Sequence, residues 1–177
     1  WYPRLARKNL QLSEDILAAF SALDIDQVLA QLQDLPHREY SIASIPSQGA
    51  LELLVRQNGD CDANFGMGSG WLNQYAQIGD CIELYVRSNP RFHVPDNAVP
   101  MILIGNGTGM AGLRSLLCQR IEQNAYSNWL LFGERSEACD FYFAGEIRTA
   151  LSLGQLQQLN TVFSRDTKDS LAPRYVQ

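Results

Sequence analysis

The sequence predicts a two-part chain, in which a β-rich front half is followed by an α/β half built on a parallel sheet. Two patterns predict this fold class. Residues 38–91 consist of short apolar or alternating runs separated by glycine and proline, which is typical of antiparallel strands. After Pro100, strand-like and helix-like segments alternate, which is typical of a parallel sheet covered by helices. A proline-rich stretch at 95–100 separates the halves, so we expect domains at 1–98 and 99–177.

Composition excludes several classes of protein. The 177 residues include 14 basic and 19 acidic side chains and no run of Lys or Arg, which argues against nucleic acid as a partner. No apolar stretch approaches the about 20 residues that span a bilayer, and the amino terminus lacks a signal-peptide pattern. The four cysteines form no Cys-x-x-Cys pair, so we expect reduced, mostly buried thiols and no metal site: Cys61, Cys81, Cys118 and Cys139.

The elements of the front half follow from periodicity. Apolar residues recur every three to four positions from Ser13 to Leu35, which predicts a helix that is broken near Asp24. Three later runs are expected to form antiparallel strands because they alternate or stay apolar between turn residues: Glu39–Ser44, Leu51–Arg56 and Cys81–Arg87.

Two motifs of the front half suit a flavin. Arg38 and Tyr40 share one face of a predicted strand and Ser41 lies on the other. A guanidinium pairs with a diphosphate, an aromatic ring stacks on isoalloxazine, and a hydroxyl can bond near its N5. The segment 66–70, Gly-Met-Gly-Ser-Gly, runs into a helix-like stretch, where N–H groups and the Ser69 hydroxyl can hold a second diphosphate. Taken alone, the first motif is better explained by a surface strand and the second by a flexible hairpin loop.

The α/β half begins with a strand, a glycine loop and a helix. An apolar run, Met101–Ile104, leads into four glycines, and Gly107-x-Gly109-x-x-Gly112 satisfies the dinucleotide fingerprint. Glycines let a diphosphate approach the backbone, and free N–H groups at the helix start attract it. Chain geometry alone also explains such a turn. Further elements are expected at Ala111–Glu122, Trp129–Phe132, Phe141–Leu151 and Thr161–Ser164.

Charged residues follow two of these strands, where ligands of parallel sheets bind. Glu134 would accept from a ribose 2′-hydroxyl and favour NAD, whereas Arg135 favours NADP. Ser164, Arg165 and Lys168 cluster after the last predicted strand, and such a cluster fits a 2′-phosphate. The balance of these residues favours NADP, and a solvated polar loop is the alternative.

The ordered set of segments resembles the ferredoxin-NADP reductase family, and most closely the reductase module of diflavin enzymes of the sulfite reductase flavoprotein type. The segments that carry the resemblance are REYSIAS, GMGSGWL, RFHVP, ILIGNGTGMAGLR, NWLLFGER, DFYF, FSRD and RYVQ, and they span about Leu35 to Gln177. The chain is also similar to bacterial inner-membrane reductases that join such a module to a PepSY-type region and a flavodoxin.

The resemblance implies an antiparallel β-barrel that holds FAD, followed by an α/β parallel-sheet domain that holds NADPH. It implies that Ser41 is the catalytic residue, near N5. The implied FAD-binding residues are Arg38, Tyr40, Ser41, Leu53, Val55, Gly66, Met67 and Ser69. The implied NADPH-binding residues are Gly107, Thr108, Arg135, Ser164, Arg165, Tyr175 and Gln177. Family members have further strands before the barrel motif and continue past this carboxyl end, so both domains are expected to be incomplete here.

The implied activity is that of an NADPH-dependent flavoprotein reductase. Hydride passes from NADPH to FAD, and electrons pass on to a flavodoxin-like FMN domain or another acceptor. The implied location is cytoplasmic, at the inner face of the bacterial inner membrane where the parent protein has a membrane-embedded portion. Two alternatives remain open: a non-catalytic interaction domain that keeps a reductase fold, and an NAD-linked Rossmann protein that uses Glu134.

Overall fold

The computed structural model describes residues 18, 24–59, 65–95, 99–166 and 175–176. Two compact units divide the chain, Trp1–Glu39 and Tyr40–Gln177. In chain order, the described helices and strands are α1 Ile25–Gln31, α2 Met67–Gly70, β1 Met101–Asn106, α3 Met110–Glu122, β2 Asn128–Glu134, α4 Glu137–Asp140, α5 Ala144–Ser152 and β3 Gln158–Phe163. A π-helical turn, Trp71–Tyr75, continues α2, and short 3-10 turns occupy Pro46–Gln48 and Gly107–Gly109.

Helix α1 belongs to the first unit and starts where the sequence predicts a break. Asp24 caps it, since its carboxylate accepts from the N–H of Gln27 at 2.9 Å and the Gln27 side chain accepts from the N–H of Asp24 at 3.1 Å. The predicted helix is therefore confirmed for Ile25–Gln31. Its earlier part, from Ser13, lies outside the described residues except for Ala18.

The back half forms the predicted parallel sheet. Its strand order is β1-β2-β3, with Leu103 opposite Leu130 and Leu130 opposite Leu159. Both predicted helices are also present as α3 and α5. Strand β3 begins at Gln158, three residues before its predicted start, because Leu159 packs against the core of this half.

One face of the sheet is covered by α3 and α5. The spacing of Met110, Leu113 and Leu117 puts one stripe of α3 on β1 and β2. Gly105 lets α3 pack closely on β1, because a Cβ there would lie 2.8 Å from Leu113 Cδ1 and that side chain would have to shift. The other face of the sheet carries Ile102 and Ile104, which are 59% and 60% exposed. The buried cluster consists of Leu103, Met110, Leu113, Leu116, Leu117, Leu130, Phe132, Phe141, Ile147, Ala150 and Leu156.

The three strands predicted in the front half do not form ladders. Ile42 and Leu53 make an isolated antiparallel bridge, beside which the N–H of Ala43 donates to the carbonyl of Glu52 at 2.8 Å. Residues 81–87 form no strand, and their apolar side chains are exposed. Apart from this bridge, the described part of the chain shows no ladder at the predicted strands Glu39–Ser44, Leu51–Arg56 and Cys81–Arg87, so the antiparallel barrel is not confirmed.

The cysteine prediction is wrong in one respect. Cys81, Cys118 and Cys139 are free thiols, but Cys81 and Cys139 are exposed because neither falls on the face of an element that packs on the core. Cys118 is half-buried on α3, and this burial raises the pKa of its thiol. Cys61 lies outside the described residues. Within the described ranges, no three metal-ligating side chains form a cluster, and no helix is long and apolar enough to cross a membrane.

Candidate functional site

The glycine loop follows β1 at the carboxyl edge of the sheet. Gly107 adopts φ +54°, and a Cβ there would lie 3.3 Å from Glu134 Oε1, so glycine is needed for both conformation and space. Gly107–Gly109 form a 3-10 turn that passes directly into α3. The first N–H groups of such a segment have no carbonyl partner within the helix, so they are available to an anion. Gly107 and the half-buried Thr108 thus lie where the sequence places a diphosphate.

Three of the residues predicted to bind the 2′-phosphate lie together at the ends of β2 and β3. The N–H of Ser164 donates to the carbonyl of Glu134 at 2.9 Å, and that of Arg165 donates to the carbonyl of Arg135 at 2.8 Å. These bonds continue the pairing of β2 and β3 by two residues. The side chains of Arg135 and Arg165 are exposed, so two cations and one hydroxyl are available at this edge.

The last described residues return to the same edge. Val176 lies on Gly133 of β2, where a Cβ would be only 2.3 Å from Val176 Cγ2. Its neighbour Tyr175 is 67% exposed. Tyr175 is therefore near the predicted cluster, while Gln177 and Lys168 lie outside the described residues.

Glu134 does not present a free carboxylate at the end of β2. Its side chain is only 5% exposed, and its Oε1 accepts from Nη2 of Arg56. Its Oε2 accepts from the N–H of Arg135 at 2.6 Å. The Tyr142 hydroxyl accepts from Arg56 Nε at 3.1 Å and from Nη2 at 2.6 Å. These bonds from Tyr142 and Glu134 raise the pKa of Arg56, which stays charged.

A cavity of about 440 Å³ lies in the front half beside the second glycine motif. Leu53 and Val55, both predicted flavin contacts, are part of its wall, as are Leu72 and Asn73 from the turn that continues α2. Leucine and valine side chains in such a wall can pack on a planar ring. Among the described residues, the lining is Leu51, Leu53, Leu54, Val55, Leu72 and Asn73.

The second glycine motif starts α2 next to this cavity. The N–H of Gly66 donates to the carbonyl of Asn58 at 2.7 Å, and the Ser69 hydroxyl accepts from the N–H of Asn58 at 2.9 Å. Ser69 therefore closes its own hairpin, and its hydroxyl hydrogen remains to donate to a ligand. Met67 is half-buried at the first position of α2. Gly66, Met67 and Ser69 are thus brought to one end of the wall that contains Leu53 and Val55.

Residues 51–56 join this cavity to the sheet. Leu53 and Val55 line the cavity, whereas Glu52 and Arg56, which alternate with them, contact the back half. Leu54 contributes to the cavity wall and also packs against the buried cluster. One extended segment therefore connects the predicted flavin side and the predicted dinucleotide side.

Arg114 of α3 is the second connection, and the sequence did not reveal its role. Its Nη1 donates to the carbonyl of Ala43 at 2.7 Å and to Glu52 Oε2 at 2.6 Å, and its Nε donates to Glu146 Oε2 at 2.8 Å. Its guanidinium carbon lies 4.6 Å from the Phe143 ring centroid. The bond to Glu146 raises the pKa of this nearly buried arginine. In the sequence, the only indication of this ion pair is that the charged Glu52 interrupts an apolar run at residues 51–55.

The remaining predicted flavin residues are Ser41, Tyr40 and Arg38, and none of them lines the cavity. Ser41 is exposed, and its Cβ lies 3.9 Å from the position that a Cβ on Gly112 would take, so it faces the start of α3. Tyr40 is half-buried next to it. Arg38 belongs to the first unit, where its side chain donates to the carbonyl of His37 at 3.3 Å. Ser41 is thus near the glycine loop and is not part of the cavity wall.

Comparison with known proteins gives relatives over almost the whole chain. No family model matches. The sulfite reductase [NADPH] flavoprotein alpha-component of Vibrio vulnificus is 34% identical over 176 residues, which is 96% of this chain and 28% of the relative. That of Aliivibrio fischeri is 34% identical over 180 residues, 96% of this chain and 29% of the relative. The chain therefore spans a little over a quarter of the length of these curated relatives.

Two solved structures share the fold. The flavohem-like FAD/NAD-binding domain of nitric oxide dioxygenase from Vibrio cholerae has a TM-score of 0.63 at 21% identity, over 76% of this chain and 56% of that domain. Ferredoxin-NADP+ reductase from Plasmodium falciparum, solved with 2'P-AMP, has a TM-score of 0.63 at 19% identity, over 82% of this chain and 58% of that one. At these identities the likeness shows the fold alone.

Proposed function

The chain is a homologue of the flavoprotein alpha-component of NADPH sulfite reductase with a ferredoxin-NADP reductase-like fold, and we propose that it is the FAD- and NADPH-binding module of a flavoprotein reductase. We assign the FAD-binding part, an antiparallel barrel, to residues 1–98 and the NADP(H)-binding part to residues 99–177. The observation that carries the proposal is the cluster of Arg135, Ser164 and Arg165 at the ends of β2 and β3, on the edge of the sheet where the glycine loop follows β1.

NADPH is the dinucleotide that these residues fit best. The N–H groups of Gly107 and Thr108 would bind its diphosphate. Two guanidinium groups and a hydroxyl, those of Arg135, Arg165 and Ser164, would bind its 2′-phosphate. Tyr175 and Gln177 would complete this site. The NAD-linked alternative needs an available acceptor on Glu134, and both oxygens of that carboxylate already have donors.

FAD fits the front half on two observations. The cavity of about 440 Å³ places leucine and valine side chains where a flavin ring can pack on them. The first turn of α2, which contains Met67 and Ser69, offers N–H groups and a hydroxyl hydrogen for the diphosphate, while the N–H of Gly66 itself already donates to Asn58. Leu53 and Val55 would contact the flavin, with Arg38, Tyr40 and Ser41 as its further ligands.

The bound ligands would carry out the electron transfer, and the protein would position them. When bound, FAD would accept hydride from NADPH and pass electrons to a flavodoxin-like FMN domain or another acceptor. The Ser41 hydroxyl, near the start of α3, would donate a hydrogen bond at the reacting end. Arg114 and residues 51–56 hold the two halves of the site together. A membrane-embedded portion of the parent protein stays a prediction.

Thermal unfolding of the chain in NADPH and in NADH tests the proposal. A ligand above its dissociation constant raises the midpoint of unfolding, so NADPH should stabilise the chain more than NADH does. Replacing Arg165 with Ala should weaken NADPH binding roughly 10- to 100-fold, the usual effect of losing a charge-assisted bond. NADH binding should not change. Arg165→Lys, which keeps the charge but not the planar fork, should fall between.

The other outcomes identify the alternatives. Stronger protection by NADH, together with no effect of Arg165→Ala, would support the NAD-linked protein. Protection by neither dinucleotide would support a non-catalytic interaction domain.

A further inference from the structure

We propose that Arg56 sets the choice of NADPH over NADH, because it holds Glu134 in an ion pair away from the dinucleotide. The inference rests on the proposed function. Arg56 is a positioning residue in this account, since it acts on the ligand through Glu134.

Glu134 has the place and the chemistry of a residue that selects NADH. It is the last residue of β2, and its Oε1 lies 3.3 Å from the Cβ position of Gly107 in the glycine loop. In dinucleotide-binding sheets, an acidic side chain beyond a glycine loop accepts from the ribose 2′-hydroxyl. A free carboxylate there also repels a 2′-phosphate. A free carboxylate at Glu134 would therefore oppose the preference for NADPH that Arg135 and Arg165 provide.

Arg56 neutralises this carboxylate in an ion pair. Its Nη2 contacts Glu134 Oε1, and the N–H of Arg135 binds the other carboxylate oxygen at 2.6 Å. The Glu134 side chain is thereby buried, with its charge compensated. A carboxylate in this state offers little to a 2′-hydroxyl and little repulsion to a 2′-phosphate.

Arg56 is itself held in place from the back half. The Tyr142 hydroxyl accepts two of its N–H groups, and Asp140 Oδ1 lies 3.8 Å from its Nη2. Its guanidinium carbon lies 5.6 Å from the centroid of the Tyr142 ring. Its position therefore does not depend on Glu134 alone, and Tyr142 contributes to the fixed geometry of the pair.

Equilibrium binding of NADPH and NADH to the chain, by calorimetry, tests the inference. Arg56→Met keeps the apolar stem and removes the charge, so Glu134 becomes a free carboxylate. The ratio of the two dissociation constants should then shift at least about tenfold toward NADH. Adding Glu134→Gln to Arg56→Met should restore the wild-type ratio, which a loss of structure alone would not do.

Two further single variants test the inference even if Arg56→Met folds poorly. Arg56→Lys keeps the charge and should keep the ratio. Glu134→Gln alone should not shift the ratio toward NADH, since it removes the carboxylate and leaves the charge of Arg56 in place. An unchanged ratio in Arg56→Met, or a tenfold shift toward NADH in Glu134→Gln alone, would overturn the inference. Wild-type chain that binds neither dinucleotide would instead overturn the proposed function.

Discussion

At the scale of single residues, two helical glycines serve opposite purposes. Gly70 is buried in α2, where a Cβ would lie 2.5 Å from Phe65 Cβ, closer than packed atoms approach. Gly145 lies in the first turn of α5, and nothing is within 4 Å of the Cβ that it lacks. Glycine at position 70 is therefore a packing requirement, whereas at 145 it only adds conformational freedom to the unfolded chain.

The same substitution should therefore have opposite effects at these two sites. Gly70→Ala should lower the free energy of unfolding by about 1–3 kcal/mol, as overpacking does. Gly145→Ala should raise it by about 0.4–1 kcal/mol, since alanine restricts the unfolded chain and favours helix. Urea denaturation of both variants measures the difference. A Gly70→Ala chain as stable as wild type would mean that Phe65 does not pack on α2 as described.

At the scale of elements, the connection between α3 and residues 51–56 organises the site. Arg114 on α3 bonds Glu52 and the carbonyl of Ala43, two residues after Ser41. The same helix begins at the glycine loop. These contacts therefore help to set the position of Ser41 relative to Gly107, together with the bridge between Ile42 and Leu53.

Removing the contacts of Arg114 should lower the free energy of unfolding. Arg114→Ala leaves a buried carbonyl and two carboxylates without their donor, and it should lower the free energy of unfolding by about 2–4 kcal/mol. Arg148 is a matched control, because it also pairs with a glutamate, Glu137, and lies over a Phe ring, but it is exposed. Arg148→Ala should cost about 0–1 kcal/mol. Equal losses in the two variants, by urea denaturation, would contradict the role given to Arg114.

The sequence predicts elements whose signals are local. Strand β1, the glycine loop and α3 follow from an apolar run, closely spaced glycines and a helical repeat, all within Met101 to Glu122. The contact of Arg56 with Glu134 joins residues 78 apart, and that of Arg114 with Glu52 joins residues 62 apart. No local pattern fixes such a pair. The front strands depend on distant pairing in the same way, since alternation predicts a side-chain pattern but not the neighbouring strand.

At the scale of the whole molecule, the second unit brings two candidate ligand sites to one segment. The cavity beside Leu53 and the dinucleotide edge beside Gly107 both contact residues 51–56. The strands and the glycine loop that the sequence predicts are present, while the cofactor roles of the predicted residues stay proposals. We propose that one chain holds a flavin and NADPH on the two sides of this segment.

An absorption spectrum of the purified chain with FAD, recorded before and after anaerobic addition of NADPH, tests this claim most directly. We expect flavin absorption bands that are retained on purification and bleach when NADPH is added, and less bleaching with the same concentration of NADH. Retained bands that NADPH leaves unchanged, or no retained flavin at all, would contradict it.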